Sequence, residues 1–92
     1  MTNSPDSKVF DLTIHTPDDV LVRGKIKSIL IPSIQGPFQV LYSHAPIIAA
    51  MDNGVIKLVA DNDLEWHYLV KGGIAEVHHN KVTIAVENIE KI

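Results

Sequence analysis

No window of this chain keeps apolar residues at i, i+3, i+4 and i+7 over three turns, and that absence narrows the fold more than any other feature. In place of a helical stripe stand short runs of branched and aromatic residues, interrupted by Pro, Gly, Asn and Asp. Phe10, Leu12 and Ile14 alternate with Asp11, Thr13 and His15, which is the period of a half-buried strand. Thr16-Pro17-Asp18-Asp19 is a turn. Val20-Leu21-Val22 reads as a short piece closed by Arg23-Gly24. Lys25 to Ile31 begins by alternating and becomes continuously apolar before Pro32, as an edge entering the middle of a sandwich would.

Further on, Ile47 to Met51 is another apolar run, and Asp52-Asn53-Gly54 is a turn signal in which Asn and Gly both tolerate positive φ. Gly54 to Val70 reads as a hairpin around Asp61-Asn62-Asp63, with Leu64, Trp66, Tyr68 and Val70 on one face and Glu65 and His67 opposite. Gly72-Gly73 is expected to be a bulge or tight crossing, because only glycine permits such backbone angles and approaches. Ile74–His78 and Lys81–Val86 form a second hairpin around His79-Asn80, and Glu87–Ile92 adds a brief last strand or frays. The expected fold is all-β, a small flattened β-sandwich or barrel of about eight to ten short strands. Residues 1–7 are expected to form a polar flexible tail and residues 8–92 a single β-sandwich domain. Its expected core includes Ile56, Leu58, Trp66, Tyr68, Ile74, Val82 and Ile84.

Chemistry is hard to find. No cysteine is present among the 92 residues, which removes thiol catalysis and disulfides. His15, His44, His67, His78 and His79 sit in five different local contexts, and adjacent His78 and His79 would point to opposite faces if extended, so no metal or other cofactor is expected. Asp18-Asp19 and Asp61-Asn62-Asp63 lack the oxygen spacing of a calcium loop and read as turn formers. Asp11, Glu65, Glu76 and Glu87 lie on expected solvent faces, and neither common nucleotide-binding motif occurs. With a net charge of −3 and scattered basic residues, the chain offers no stripe for nucleic acid. No apolar run approaches the roughly 20 residues needed to cross a bilayer, so direct membrane insertion is not expected.

Ser33 to Ala49 is the most informative stretch. Gly36-Pro37 is a turn, Phe38 to Tyr42 a short extended run, and His44-Ala45-Pro46 a stiff corner before Ile47-Ile48. Phe38, Val40, Leu41, Tyr42, Ile47 and Ile48 are more apolar side chains than one short strand can turn inward, so some belong at an exposed rim, unless a thin sandwich takes them all as core. His44 fixes the corner by a hydrogen bond from its ring to the backbone, contacts a partner, or does both. A Ser43–His44 catalytic dyad is disfavoured, since neighbouring side chains on an extended loop diverge.

The chain resembles the N-terminal β-sandwich of the epsilon subunit of F-type ATP synthase, called delta in mitochondria. The residues that carry the resemblance are Phe10 to Ile14, Gly24-Lys25-Ile26, Gln35 to Ile48, Gly54 to Leu58, Tyr68 to Val77 and Asn80 to Ile84. It covers residues 8 to about 88, and Gln35 to Ile48 resembles the family's signature loop EGxLGIxPxHxPL. Within that loop Gln35 stands for an acidic residue, Pro37 and Phe38 for a polar one and a leucine, Gln39 for glycine, and Tyr42 where proline is common. The resemblance implies a non-catalytic central-stalk subunit that couples proton-driven rotation to ATP synthesis. Its implied partners are the gamma subunit and the rotor ring of membrane c subunits, at the cytoplasmic face of the energy-transducing inner membrane. Gln35, Gly36, Pro37, Phe38, Tyr42 and His44 are the partner-binding residues it points to. Most members continue into a C-terminal helical hairpin that inhibits ATP hydrolysis and sometimes binds ATP. The expectation is a chain without that hairpin, whether it is naturally absent or has been removed, so neither property is carried over. The competing readings are a ligand-binding barrel with a hollow lined by Trp66 and Tyr68, and a generic protein-adaptor sandwich.

Overall fold

A computed structural model describes residues 8–92, so the expected tail at residues 1–7 lies outside the described residues. Nine strands follow in chain order: β1 (Phe10–His15), β2 (Val20–Ile31), β3 (Phe38–Val40), β4 (Ile47–Ala50), β5 (Gly54–Ala60), β6 (Glu65–Lys71), β7 (Ile74–His78), β8 (Lys81–Ala85) and β9 (Asn88–Lys91). They pair in the order β4-β7-β8-β1-β2-β5-β6-β9, with β3 added to β2. No α-helix occurs among the described residues. The sheet folds over on itself, because inward residues from both of its halves share one buried cluster.

Alternation in β1 builds one wall of that cluster. Phe10, Leu12 and Ile14 are all but inaccessible, as are Val82 and Ile84 of β8. These two strands run parallel, with Leu12 beside Val82 and Ile14 beside Ile84. The opposite wall holds Ile56, Leu58 and Val70 from the β5–β6 hairpin, whose register pairs Gly54 with Val70 as expected. The β7–β8 hairpin also forms, and His79 and Asn80 take φ of +50° and +57°, the paired left-handed angles such a turn requires. β9 pairs with β6.

Several expectations are corrected. Val20–Ile31 is one strand of 12 residues and does not stop at Arg23-Gly24. Gly24 is paired opposite Leu12 in that strand. Its first half pairs with β1 and its second with β5 and β3, so β2 belongs to both layers. Neither Asn53 nor Gly54 is among the residues of positive φ, and β4 pairs with β7, so residues 52–54 link two layers and close no hairpin. Ile74 is 55% exposed, because the strand parity that buries Ala75 and Val77 turns it outward. Trp66 and Tyr68 pack against the core only partly buried, with Lys91 Nζ 4.0 Å over the Trp66 ring. Leu64 precedes β6 and is exposed. The expected tight crossing is real: Gly72 and Gly73 have φ of +57° and +118° where the chain passes from β6 to β7.

Candidate functional site

Between β2 and β4 the chain makes two loops, one on each side of the short strand β3. In the first, Pro32 terminates β2, Gly36 N–H donates to Ser33 O at 2.9 Å, and Gln35 N–H donates to Ser33 Oγ at 3.1 Å. Gly36 has φ of +121°, which a side chain rarely permits. This loop is sewn to β4: Ile34 N–H donates to Ala50 O at 3.0 Å, and Asp52 N–H to Pro32 O at 2.9 Å. The second loop closes with His44 N–H donating to Leu41 O at 3.1 Å. The His44 ring donates from Nδ1 to Ala45 O at 2.7 Å, which is the corner-fixing bond expected of it.

Among the residues singled out from the sequence, Gln35, Gly36, Pro37 and Tyr42 are exposed, while His44 and Phe38 are half-buried. Phe38 packs against the core, and its ring lies 6.3 Å from that of His44. Val40 is fully buried. Not all of the apolar cluster turns inward, however: Leu41 is 53% exposed, Tyr42 40% and Ile48 73%. Ser33–Phe38 and Ile47–Ala50 line a groove of about 440 Å³ between the first loop and the edge strand β4. Ile34, Ile47 and Ile48 are the exposed large apolar residues along it.

The partner-binding residues that the resemblance points to do not include Ile34, Leu41 or Ile48. One signal could have found them. From Ser28 to Met51 the chain carries no Asp, Glu, Lys or Arg, although charged residues make up 21% of the whole. Surface without charge is what the centre of a protein interface requires.

Alternative chemistry has little footing in the geometry. Trp66 and Tyr68 border an open notch of about 210 Å³, whereas ligand sites are usually concave spaces of ~300–1,000 Å³. No group of three or more His, Asp or Glu is placed to hold a metal among the described residues. His78 and His79 do not diverge, because the turn bends their backbone and brings the rings to 3.9 Å. His67 Nε2 lies 2.7 Å from Glu65 Oε2, and Lys57 Nζ 3.2 Å from the same oxygen, on a solvent-facing sheet surface. The His67 hydrogen bond first, and that from Lys57 second, hold the Glu65 carboxyl below its ordinary value. No helix among the described residues is long and apolar enough to cross a membrane.

The profile of the family described as ATP synthase, Delta/Epsilon chain, beta-sandwich domain matches residues 9–92. An ATP synthase epsilon chain of Chlorobaculum tepidum is 37% identical over 82 residues, a match covering 89% of this chain and 93% of that one. A chloroplastic ATP synthase epsilon chain of Thalassiosira pseudonana is 33% identical, and this chain spans 62% of its length. Among solved structures, a chain of the Euglena gracilis mitochondrial ATP synthase OSCP/F1/c-ring assembly superposes with a TM-score of 0.85 at 22% identity, covering 98% of this chain and 56% of that one. A chain of the Tetrahymena thermophila ATP synthase central stalk and c-ring gives 0.71 at 17% identity, with 87% and 64% covered. At those identities the superpositions speak for the fold alone.

Proposed function

This chain belongs to the β-sandwich family of ATP synthase delta and epsilon chains, non-catalytic stalk subunits, and from that membership we propose that it docks on the gamma subunit and on the rotor ring of c subunits. Held there, it couples proton-driven rotation to ATP synthesis, on the cytoplasmic face of the energy-transducing membrane. The observation that carries the reading is the uncharged stretch from Ser28 to Met51, where Ile34, Leu41 and Tyr42 on hydrogen-bonded loops and Ile47 and Ile48 on β4 stay exposed. A braced apolar rim loses little ordering entropy on binding, which is the physical requirement of a docking surface. Gln35, Gly36 and Pro37 form the outer lip of the groove, and His44 sets the corner behind Tyr42. Phe38 contributes mainly from beneath, as packing for that corner.

Titration of the chain against a gamma–rotor-ring subcomplex tests this. A chain carrying Tyr42→Ala together with Ile48→Ser is expected to stay folded and to bind at least about tenfold more weakly, as loss of central apolar contacts does. Native affinity in that variant would remove the rim from the interface.

A further inference from the structure

Asn80 occupies the second left-handed position of the turn between β7 and β8. Glycine fills such a position as readily as asparagine does. What glycine lacks is the side chain, and here that side chain is used at a distance. Asn80 Oδ1 accepts the backbone N–H of Ser43 at 2.7 Å, joining residues 37 positions apart in the chain. The Asn80 carbonyl accepts the N–H of Asp11 at 3.1 Å, so the turn itself is fastened to β1.

Ser43 needs such a grip. It holds φ of +65°, a conformation that serine keeps only where its surroundings enforce it. Within its loop the two other hydrogen bonds, from His44 N–H to Leu41 O and from the His44 ring to Ala45 O, are internal and tie it to no other strand. We propose that Asn80 is a positioning residue, which by holding Ser43 sets Leu41 and Tyr42 in the exposed pose used for docking. This rests on reading the loop as partner-facing, and it adds to that reading a residue on a different hairpin. The gain is pre-organisation: a loop already fixed in its bound shape has less freedom to lose.

Two variants separate the side chain from the turn. Asn80→Gly keeps the left-handed backbone and removes the acceptor, whereas Asn80→Asp keeps an oxygen in its place. Each is titrated against the gamma–rotor-ring subcomplex while amide exchange of Ser43 is followed by NMR. Asn80→Gly is expected to speed exchange at Ser43, to leave β7 and β8 amides protected, and to weaken binding on the order of fivefold, the worth of one neutral hydrogen bond. Asn80→Asp is expected to restore both. An unchanged Ser43 amide in Asn80→Gly, or a loss of affinity that Asn80→Asp fails to restore, overturns the role. If the Tyr42→Ala, Ile48→Ser variant loses affinity and Asn80→Gly does not, positioning falls and docking stands. If neither loses affinity, the docking reading falls and takes this inference with it.

Discussion

Gly73 lies flat against the carbonyl of Ala85, leaving no room for a Cβ: one placed there would collide with the carbonyl oxygen and come within 3.1 Å of Val86 Cα. The contact marks the point where the chain leaves β6 and starts β7, and Gly73 O accepts Met51 N–H at 2.8 Å in the same place.

Replacing Gly73 with alanine therefore meets backbone on one side and a φ of +118° on the other. The expected loss is about 3 kcal/mol, the scale of strained backbone plus a steric clash. Gly24→Ala is the control: nothing stands within 4 Å of its Cβ position, so its effect should stay within about 0.5 kcal/mol. Urea denaturation of the two variants measures the contrast, and equal losses would contradict it.

A second contrast concerns two isoleucines on paired strands. Ile84 is fully buried, whereas Ile74 is mostly exposed. Ile84→Ala should cost about 2–5 kcal/mol through lost transfer energy and the cavity left behind. Ile74→Ala should cost less than about 1 kcal/mol, as surface changes do. Thermal midpoints of the two proteins check the order.

Acid should expose the Glu65 cluster. Its carboxyl is held below its ordinary value by hydrogen bonds from His67 first and Lys57 second. Because the folded value lies below the unfolded one, the stabilisation is present above the ordinary carboxylate value and is lost as pH falls through the lowered folded value. The group is solvent-exposed, so the effect is small and weakens with salt. Denaturation midpoints of the native chain and of Glu65→Gln should differ most near neutrality and converge in acid. Divergence in acid would have the wrong sign.

Local pattern made much of this fold readable. Alternation gave Phe10, Leu12 and Ile14 their inward face, and the reversals at Asp61-Asn62-Asp63 and His79-Asn80 gave both hairpins. Each of those features is decided by neighbours in sequence. The parallel pairing of β1 with β8 joins segments about 70 positions apart, and nothing local marks it. Gly24 looked like a stop because glycine often is one, yet its partner Leu12 supplies the ladder that carries the strand through. Ile74 faces outward against expectation because the crossing at Gly72-Gly73 resets which face of the following strand is inward. At the loops, the apolar excess was visible in composition, but the division between buried Val40 and exposed Leu41 and Tyr42 depends on where β3 ends.

The 12-residue β2 has a mechanical consequence. It pairs with β1 along one half of its length and with β3 and β5 along the other, so the two layers have a covalent strut in common. Force applied to one layer reaches its opposite along peptide bonds, and does not depend on friction between side chains. Peeling one layer off would mean tearing the ladders of this strand, so a body built this way yields all at once or not at all.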